Sequence, residues 1–350
     1  MQKIFFLFLF ITSAILFSSC SDEKVINDSG TEKKLLAVSF DNNSHFTKLN
    51  FPSGNIISND IFHEKNDSYL TTAKIEKFKI FLNNIYALIP DENKIVIIDK
   101  NSYQITKTMD FTSEDLVPVD IAFANATEAY IIFKESPKVA LLDIYYFQIA
   151  KYIELSGEPS AISIVGNQIY LPVPLDDFVC VIDSRYHEVV DELPVDNAPY
   201  LIQPNIDGDR FVVISAGTGK LPNDPRESLS APSVSIIDIQ TREIVGSNPL
   251  IPSSMDIAYE IPLDFVISNN DWAFLITTNF LIRIDSRDPT YSNKVEEHSY
   301  TTLYHNNVIN EIYAIDHLDN SSTIYQLSPI TGKKTDKTSL QKNILSISVD

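Results

Sequence analysis

The amino-acid sequence predicts an all-β chain folded as a seven-bladed β-propeller, with four antiparallel strands in each blade. Three observations carry this expectation. One phrase returns seven times: apolar and β-branched residues run into an aspartate or a close substitute, a short turn follows, and an apolar strand resumes. Two further strand-like segments separate successive copies. The chain also ends on a strand with no successor and begins its folded part on one with no predecessor, so each end supplies what the other lacks.

The recurring hairpin is clearest in KIVIIDKNSYQIT (94–106), KVALLDIYYFQIA (138–150), VCVIDSRYHEVV (179–190), SVSIIDIQTREIV (233–245) and FLIRIDSRDPTYS (280–292). Weaker copies are HFTKLNFPSGNII around Asn50 and TIYQLSPITGKKT around Ser328. The turn-initiating residue falls at 50, 99, 143, 183, 238, 285 and 328, at spacings of 49, 44, 40, 55, 47 and 43. Repeats of that period mean a repeat architecture. Aspartate suits the position because its carboxylate accepts hydrogen bonds from backbone N–H groups just ahead of it, and asparagine or serine does the same less strongly. The evenly spaced carboxylates therefore read as hairpin residues and not as catalytic ones.

Entry strands often open on proline: VPVDIAF from 117, EPSAISI from 158, APYLIQP from 198 and IPLDFVI from 261. Second strands follow an Asn, Asp or Gly turn, as in TEAYIIF, NQIYLPV, DRFVVIS, DWAFLIT and EIYAIDH. Four short strands per repeat, seven times over, is propeller arithmetic. No useful helical period appears in the mature region. Closure is expected where Ile344 to Val349 becomes the innermost strand of the blade begun by Leu35 to Phe40, which removes an exposed sheet edge.

The chain opens MQKIFFLFLFITSAILFSSCSDEK. Its apolar run, Ile4 to Phe17, is shorter than the ~20 residues that span a bilayer, and it reads as a secretory signal. The organisation expected is a signal at 1–19, an acylated Cys20 and tether at 20–33, and the propeller at 34–350. With Cys20 acylated, Cys180 has no partner for an internal disulfide, and between valines it reads as a small buried hydrophobe. A net charge of −20 and a pI near 4.6 argue against nucleic acid, whose binding depends on clustered Lys and Arg.

LFSSC resembles the lipobox of bacterial lipoproteins, and the following SDEK is similar to the acidic tag that sends some of them to the outside of the outer membrane. The V-x-V-I-D hairpins with P-x-x-I entry strands resemble the YVTN-type seven-bladed propellers over nearly all of 34–350. Together the two resemblances imply a surface propeller lipoprotein of the kind found in Bacteroidota. Some of these capture vitamin B12 and pass it to a TonB-dependent transporter. Propellers host many unrelated activities, so the likeness speaks for fold more than function.

A ligand is expected on the face that carries the inter-blade connections and the loops between second and third strands. Three of these are long, 59–70, 216–232 and 247–261, and long loops in a compact ring are usually functional or disordered. GTGK at 217–220 lacks the upstream glycine of a phosphate loop and leads into no helix. Binding pockets combine apolar surface with a few fixed polar groups. The candidate ligand-binding residues are Phe62, His63, Tyr69, Asp115, Asp176, Asp177, Phe178, Tyr200, Leu221, Arg226, Tyr259 and Phe280; Pro222 and Met255 stand beside them in the long loops. Loop-against-loop packing is the competing explanation for any one of these. His45, His63, His298 and His317 fall in loops of the same face, and His305 on an entry strand. They show no H-E-x-x-H or paired close spacing, so no metal site is expected.

The function these readings support is capture of a bulky small molecule, a corrinoid or an iron chelate, and its transfer to a TonB-dependent receptor. The alternative is a surface scaffold for a protein or glycan. No enzyme activity is expected: one tryptophan in the chain argues against the Trp-rich blade locks of quinoproteins, and no nucleophile, base and orienter set can be assembled. A monomer without cofactor is expected, lipid-anchored in the outer membrane, facing the exterior, and touching the membrane through its lipid anchor only.

Overall fold

The computed structural model of the chain describes residues 32–250, 260–298 and 300–349. The signal segment, Cys20, Met255 and Tyr259 lie outside those residues. Seven four-stranded antiparallel sheets form the blades. Blade 1 combines β28 (Ile344–Val349), β1 (Lys33–Phe40), β2 (Ser44–Phe51) and β3 (Ile56–Ser58). Blade 2 holds β4 (Lys77–Phe81), β5 (Asn84–Ile89), β6 (Lys94–Asp99) and β7 (Ile105–Asp110). Blade 3 holds β8 (Val117–Phe123), β9 (Glu128–Lys134), β10 (Lys138–Asp143) and β11 (Gln148–Glu154), and blade 4 β12 (Ser163–Val165), β13 (Gln168–Val173), β14 (Phe178–Asp183) and β15 (Glu188–Pro194). Blade 5 follows with β16 (Pro199–Pro204), β17 (Arg210–Ser215), β18 (Ser233–Asp238) and β19 (Ile244–Pro249). Blade 6 has β20 (Pro262–Ile267), β21 (Trp272–Thr277), β22 (Leu281–Asp285) and β23 (Ser292–Glu296), and blade 7 β24 (Thr302–Asn306), β25 (Glu311–Leu318), β26 (Ser321–Leu327) and β27 (Lys334–Leu340).

The ring closes as the chain ends imply. β28 pairs with β1, Leu35 opposite Val349 and Ala37 opposite Ile347, so the last strand becomes the inner strand of the first blade. β1 already takes in Lys33, the last residue of the expected tether. Each inner strand touches the next around the axis, β28 to β4, β4 to β8 and onward to β24 and back to β28.

Second and third strands read as nearly continuous apolar runs because both of their faces are buried between blades. In β5, Ile85, Ala87 and Ile89 pack toward blade 1 while Tyr86 and Leu88 pack toward blade 3. Every one of the seven blade junctions has such an apolar cluster. Each fully buried Leu, Ile or Phe contributes roughly 1.5–3 kcal/mol. Fourth strands are solvated, as the exposed run in β7 shows.

The hairpin aspartates act on backbone, as expected. Asp99 Oδ1 accepts from the amides of Asn101 and Ser102 at 3.1 and 2.7 Å, and Asp143 Oδ1 from Tyr145 and Tyr146 at 2.9 and 3.0 Å. Four residues after the turn-initiating residue the chain enters the left-handed region, at Gly54 and Gly332 but also at Tyr103, Phe147, His187 and Arg242. The entry prolines work differently from a plain strand start. In β8, β16 and β20 the register slips just after Pro118, Pro199 and Pro262, the bulge position to which strand prolines are confined. Blade 4 departs from expectation: β12 is short, and Pro159 precedes it. The connection 59–70 also contains a helix, α1 (Ile61–Asn66), started by Asp60, whose carboxylate accepts from the amides of Phe62 and His63.

Candidate functional site

Antiparallel alternation puts the inter-blade connections and the loops between second and third strands on one face, here the long-loop face. The hairpins between third and fourth strands, and the turns between first and second, lie on the opposite one. Every inner strand therefore enters the axial channel from the long-loop face.

At the first long loop, Tyr69 is 48% exposed. It stacks on His63 at 4.4 Å and meets the edge of His45 at 5.5 Å. His63 Nδ1 is buried without a hydrogen-bond partner. His45 is held between two carboxylates, Asp60 at 2.9 Å and Asp41 at 3.0 Å, and this bond, with the Asn42 amide, holds Asp41 down at about 2. Phe62 is withdrawn into the core between blades 1 and 2.

The second long loop is a braced structure. Arg226 forks onto Asp177 of the neighbouring blade at 2.7 and 2.9 Å and reaches Asp224 at 2.7 Å. Asp224 also accepts the Gly219 amide at 2.8 Å, and the Arg226 bonds hold its carboxyl at about 2. On the other side Lys220 donates to the carbonyls of Ala216 and Glu260 at 2.9 and 3.1 Å. Burial pushes this ammonium down to about 8. Glu260 in turn accepts from Thr277 Oγ1 at 2.6 Å and from Asn279 Nδ2 at 2.7 Å. The loop is thus tied to blade 4 by Arg226 and to the start of blade 6 by Lys220.

Sequence reasoning missed the channel. Lys77, Lys79, Phe123, Asp264, Tyr304 and Ser348 line a cavity of about 370 Å³ there. Asp120 bridges the two lysines, at 2.9 Å to Lys77 and 2.6 Å to Lys79. Burial alone would raise Asp120, but the two ammonium groups outweigh it and hold the carboxyl at about 2. Burial also works against Lys77, yet Asp120, with Asp264 and Tyr200, moves it above its ordinary value. For Lys79 burial wins and the ammonium is depressed. Burial raises Asp264 although it accepts from the Leu303 amide at 2.9 Å and Thr302 Oγ1 at 2.8 Å. Perturbed groups gathered in a cleft mark a candidate site. The wider cleft, about 450 Å³, lies between the outer strands of blades 2 and 3; its shifted groups are the exposed Asp110, lowered by its hydrogen bonds from Thr112, and Tyr152, raised by burial, with no ion pair bridging them as Asp120 bridges the lysines.

Of the sequence candidates, the structure brings together His63 with Tyr69, and Asp177 with Arg226, and it sets Tyr200 near Lys77 at the channel. The rest stand apart. Asp115 ends a 3₁₀ turn in the left-handed region, Phe178 packs between blades 3 and 4, and Phe280 joins the core of blades 5 and 6. Asp176 is exposed and Leu221 half-buried. The best nucleophile–base contact among the histidines, Ser322 Oγ with His317 Nδ1 at 2.8 Å, is structural: the hydroxyl is buried and accepts the Ile344 amide at 2.8 Å. Among the described residues no group of three metal-ligating side chains converges.

No family model and no curated protein matches the chain. Solved structures do. Hydrazine synthase of Kuenenia stuttgartiensis is 17% identical with a TM-score of 0.55, over 69% of this chain and 73% of that one. Dihydro-heme d1 dehydrogenase NirN, in complex with DHE, is 9% identical with a TM-score of 0.61, over 91% and 75%. At such identities the likeness is one of fold.

Proposed function

We propose that this protein is a non-enzymatic binding propeller, lipid-anchored through Cys20 at the outer surface of the outer membrane. It captures a bulky small molecule on the long-loop face and delivers it to a TonB-dependent transporter. The observation that carries the reading is the braced construction of that face: loop 216–232 is fastened on both sides, and the axis beneath holds Lys77 and Lys79, bridged by Asp120, among aromatic and hydroxyl side chains. A site ordered during folding loses little further entropy when a ligand arrives. A rigid, wide ligand with peripheral carboxylates or amides, such as a corrinoid or a ferric chelate, suits an apolar rim at Tyr69 with charged groups below it. The name of one fold neighbour refers to a haem-type compound, which places haem on the panel to be tested.

A calorimetric and thermal-shift panel of cyanocobalamin, haem, ferric siderophores and oligosaccharides tests the reading. One macrocycle or chelate should bind, and shortening 216–232 should weaken it at least tenfold. Binding of none of them sinks the proposal, and binding of an oligosaccharide alone favours a glycan scaffold. The exposed Leu175, Leu229 and Leu318 on the same face instead support a protein-binding scaffold as the second reading, since exposed apolar surface suits a protein partner.

A further inference from the structure

The hairpin face is unusual for turns, which favour Gly, Pro, Asn, Asp and Ser. Tyr145 and Tyr146 at the hairpin of blade 3 are 76% and 64% exposed, Tyr186 of blade 4 is 65%, and Tyr291 of blade 6 is 64%. Val308 and Ile330 of blade 7 are 87% and 51% exposed. Single exposed apolar residues are ordinary; here they recur blade after blade at the tips of one face, and blade 1 is where both chain ends leave. Strand direction fixes that exit: β1 starts, and β28 finishes, on the hairpin face. About a dozen residues separate Cys20 from β1, a reach of roughly 40 Å when extended.

We propose that the hairpin face docks on the lipid headgroup layer, its tyrosine and aliphatic tips resting at the interface. This rests on the anchoring of Cys20 proposed above. A lipid at Cys20 fixes attachment but does not by itself fix orientation; tips of amphipathic tyrosine, which favours the boundary between water and hydrocarbon, supply the orientation. The long-loop face then looks outward, where a ligand arrives. Charge does not drive the contact. Asp99, Asp183, Asp238 and Asp288 on this face are all held below their ordinary values by hydrogen bonds, so they stay ionised beside Arg185, Arg242 and Arg287. Docking is expected on zwitterionic lipid and to be insensitive to salt. Among the described residues no helix is long and apolar enough to cross a membrane.

The test uses the full acylated protein in phosphatidylcholine vesicles with brominated acyl chains. Trp272, the only tryptophan, is replaced by Phe, and Tyr145→Trp or Tyr186→Trp reports on the tips while Tyr69→Trp reports on the far face. Interfacial segments sit about 5–10 Å into the boundary, so the two tip reporters should be quenched at least twofold more than Tyr69→Trp, equally at low and high salt. Equal quenching of tip and far-face reporters, or none, in protein that carries its acyl chain overturns the docking and leaves the anchor standing. Absence of acyl label on the wild type, judged against Cys20→Ala, removes both. A concentration-dependent dimer abolished by Tyr145→Ser assigns the tips to a second copy instead.

Discussion

Replacing Asp120 by asparagine measures how much the channel charges hold blades 2 and 3 together. Asp120 sits on β8 and both of its lysines sit on β4, so the bridge crosses a blade junction. Its carboxyl is at about 2 in the folded protein, against about 3.9 in an unfolded chain. A depressed folded value stabilises the protein at pH above the unfolded value, and the contribution is lost as pH falls toward the folded one. The difference corresponds to about 2.6 kcal/mol at pH 7 and about half of that at pH 3. Lys77 and Lys79 keep 46% and 34% of their side chains open to water, and screening lowers the observable loss in Asp120→Asn to about 1–2 kcal/mol at pH 7. Urea unfolding of both proteins at pH 7, 5, 4 and 3 reads it: the gap should be flat from 7 to 5 and shrink below 4. A gap under about 0.5 kcal/mol at pH 7, the usual range of surface substitutions, or one that grows on acidification, refutes the bridge as a stabilising contact.

Arg226→Ala should release the second long loop by removing charge-assisted bonds worth about 1–3 kcal/mol; chymotryptic cleavage near Leu221 and Leu229 should quicken while Arg226→Lys stays intermediate, and an unchanged rate speaks against the brace. Ile344→Ala truncates a fully buried residue of the closing strand and should cost about 2–5 kcal/mol in chemical denaturation. Exposed Ile330→Ala should stay within about 0.5 kcal/mol, and a loss at Ile344 no larger than that would mean the ring does not depend on β28. Burial pushes the Cys180 thiol up to about 12, so iodoacetamide at pH 8 should label it only after unfolding; labelling of the native protein at the rate of a free thiol would contradict its place in the core.

How much was legible follows from how far apart the cooperating residues lie. The hairpins were readable because Asp99, Asp143 and Asp183 act on amides two or three residues ahead, and seven copies make a local signal audible. The usual glycine mark was missing from most of them, since Tyr103, Phe147, His187 and Arg242 adopt the left-handed conformation themselves; only the repeat could identify those turns. Closure was legible because each end carried an orphan apolar strand. The channel was not, because it draws residues from five blades. A trace did exist. VPVDIAF and IPLDFVI share an aspartate two residues after the entry proline, and the bulge that follows Pro118 and Pro262 upsets the inside–outside alternation by which a polar residue in such a strand would be placed.

The same channel explains why function is harder to read than fold. Its polar groups bind neighbouring inner strands to one another: Lys79 and Asp120 join blades 2 and 3, and Ser160 donates to the Tyr200 carbonyl between blades 4 and 5. Gln203 donates to the Phe265 carbonyl between blades 5 and 6, Asp264 accepts from Thr302 between 6 and 7, and Tyr304 meets Ser348 between 7 and 1. In a narrowing ring, inner strands meet where apolar side chains have least room, and paired polar groups cover channel walls that water still reaches. Such a belt forms in a propeller whether or not a ligand ever enters. What distinguishes a ligand site from a seam is capacity left over, and Ser346 Oγ, buried on the channel wall with no partner, is the group there that the seam does not use. A ligand that reaches down the axis meets Lys77 there, and meets that hydroxyl only where the Ser346 side chain rotates into the channel; Ser346→Ala should then weaken its binding in calorimetry while leaving the blades as firmly joined as before.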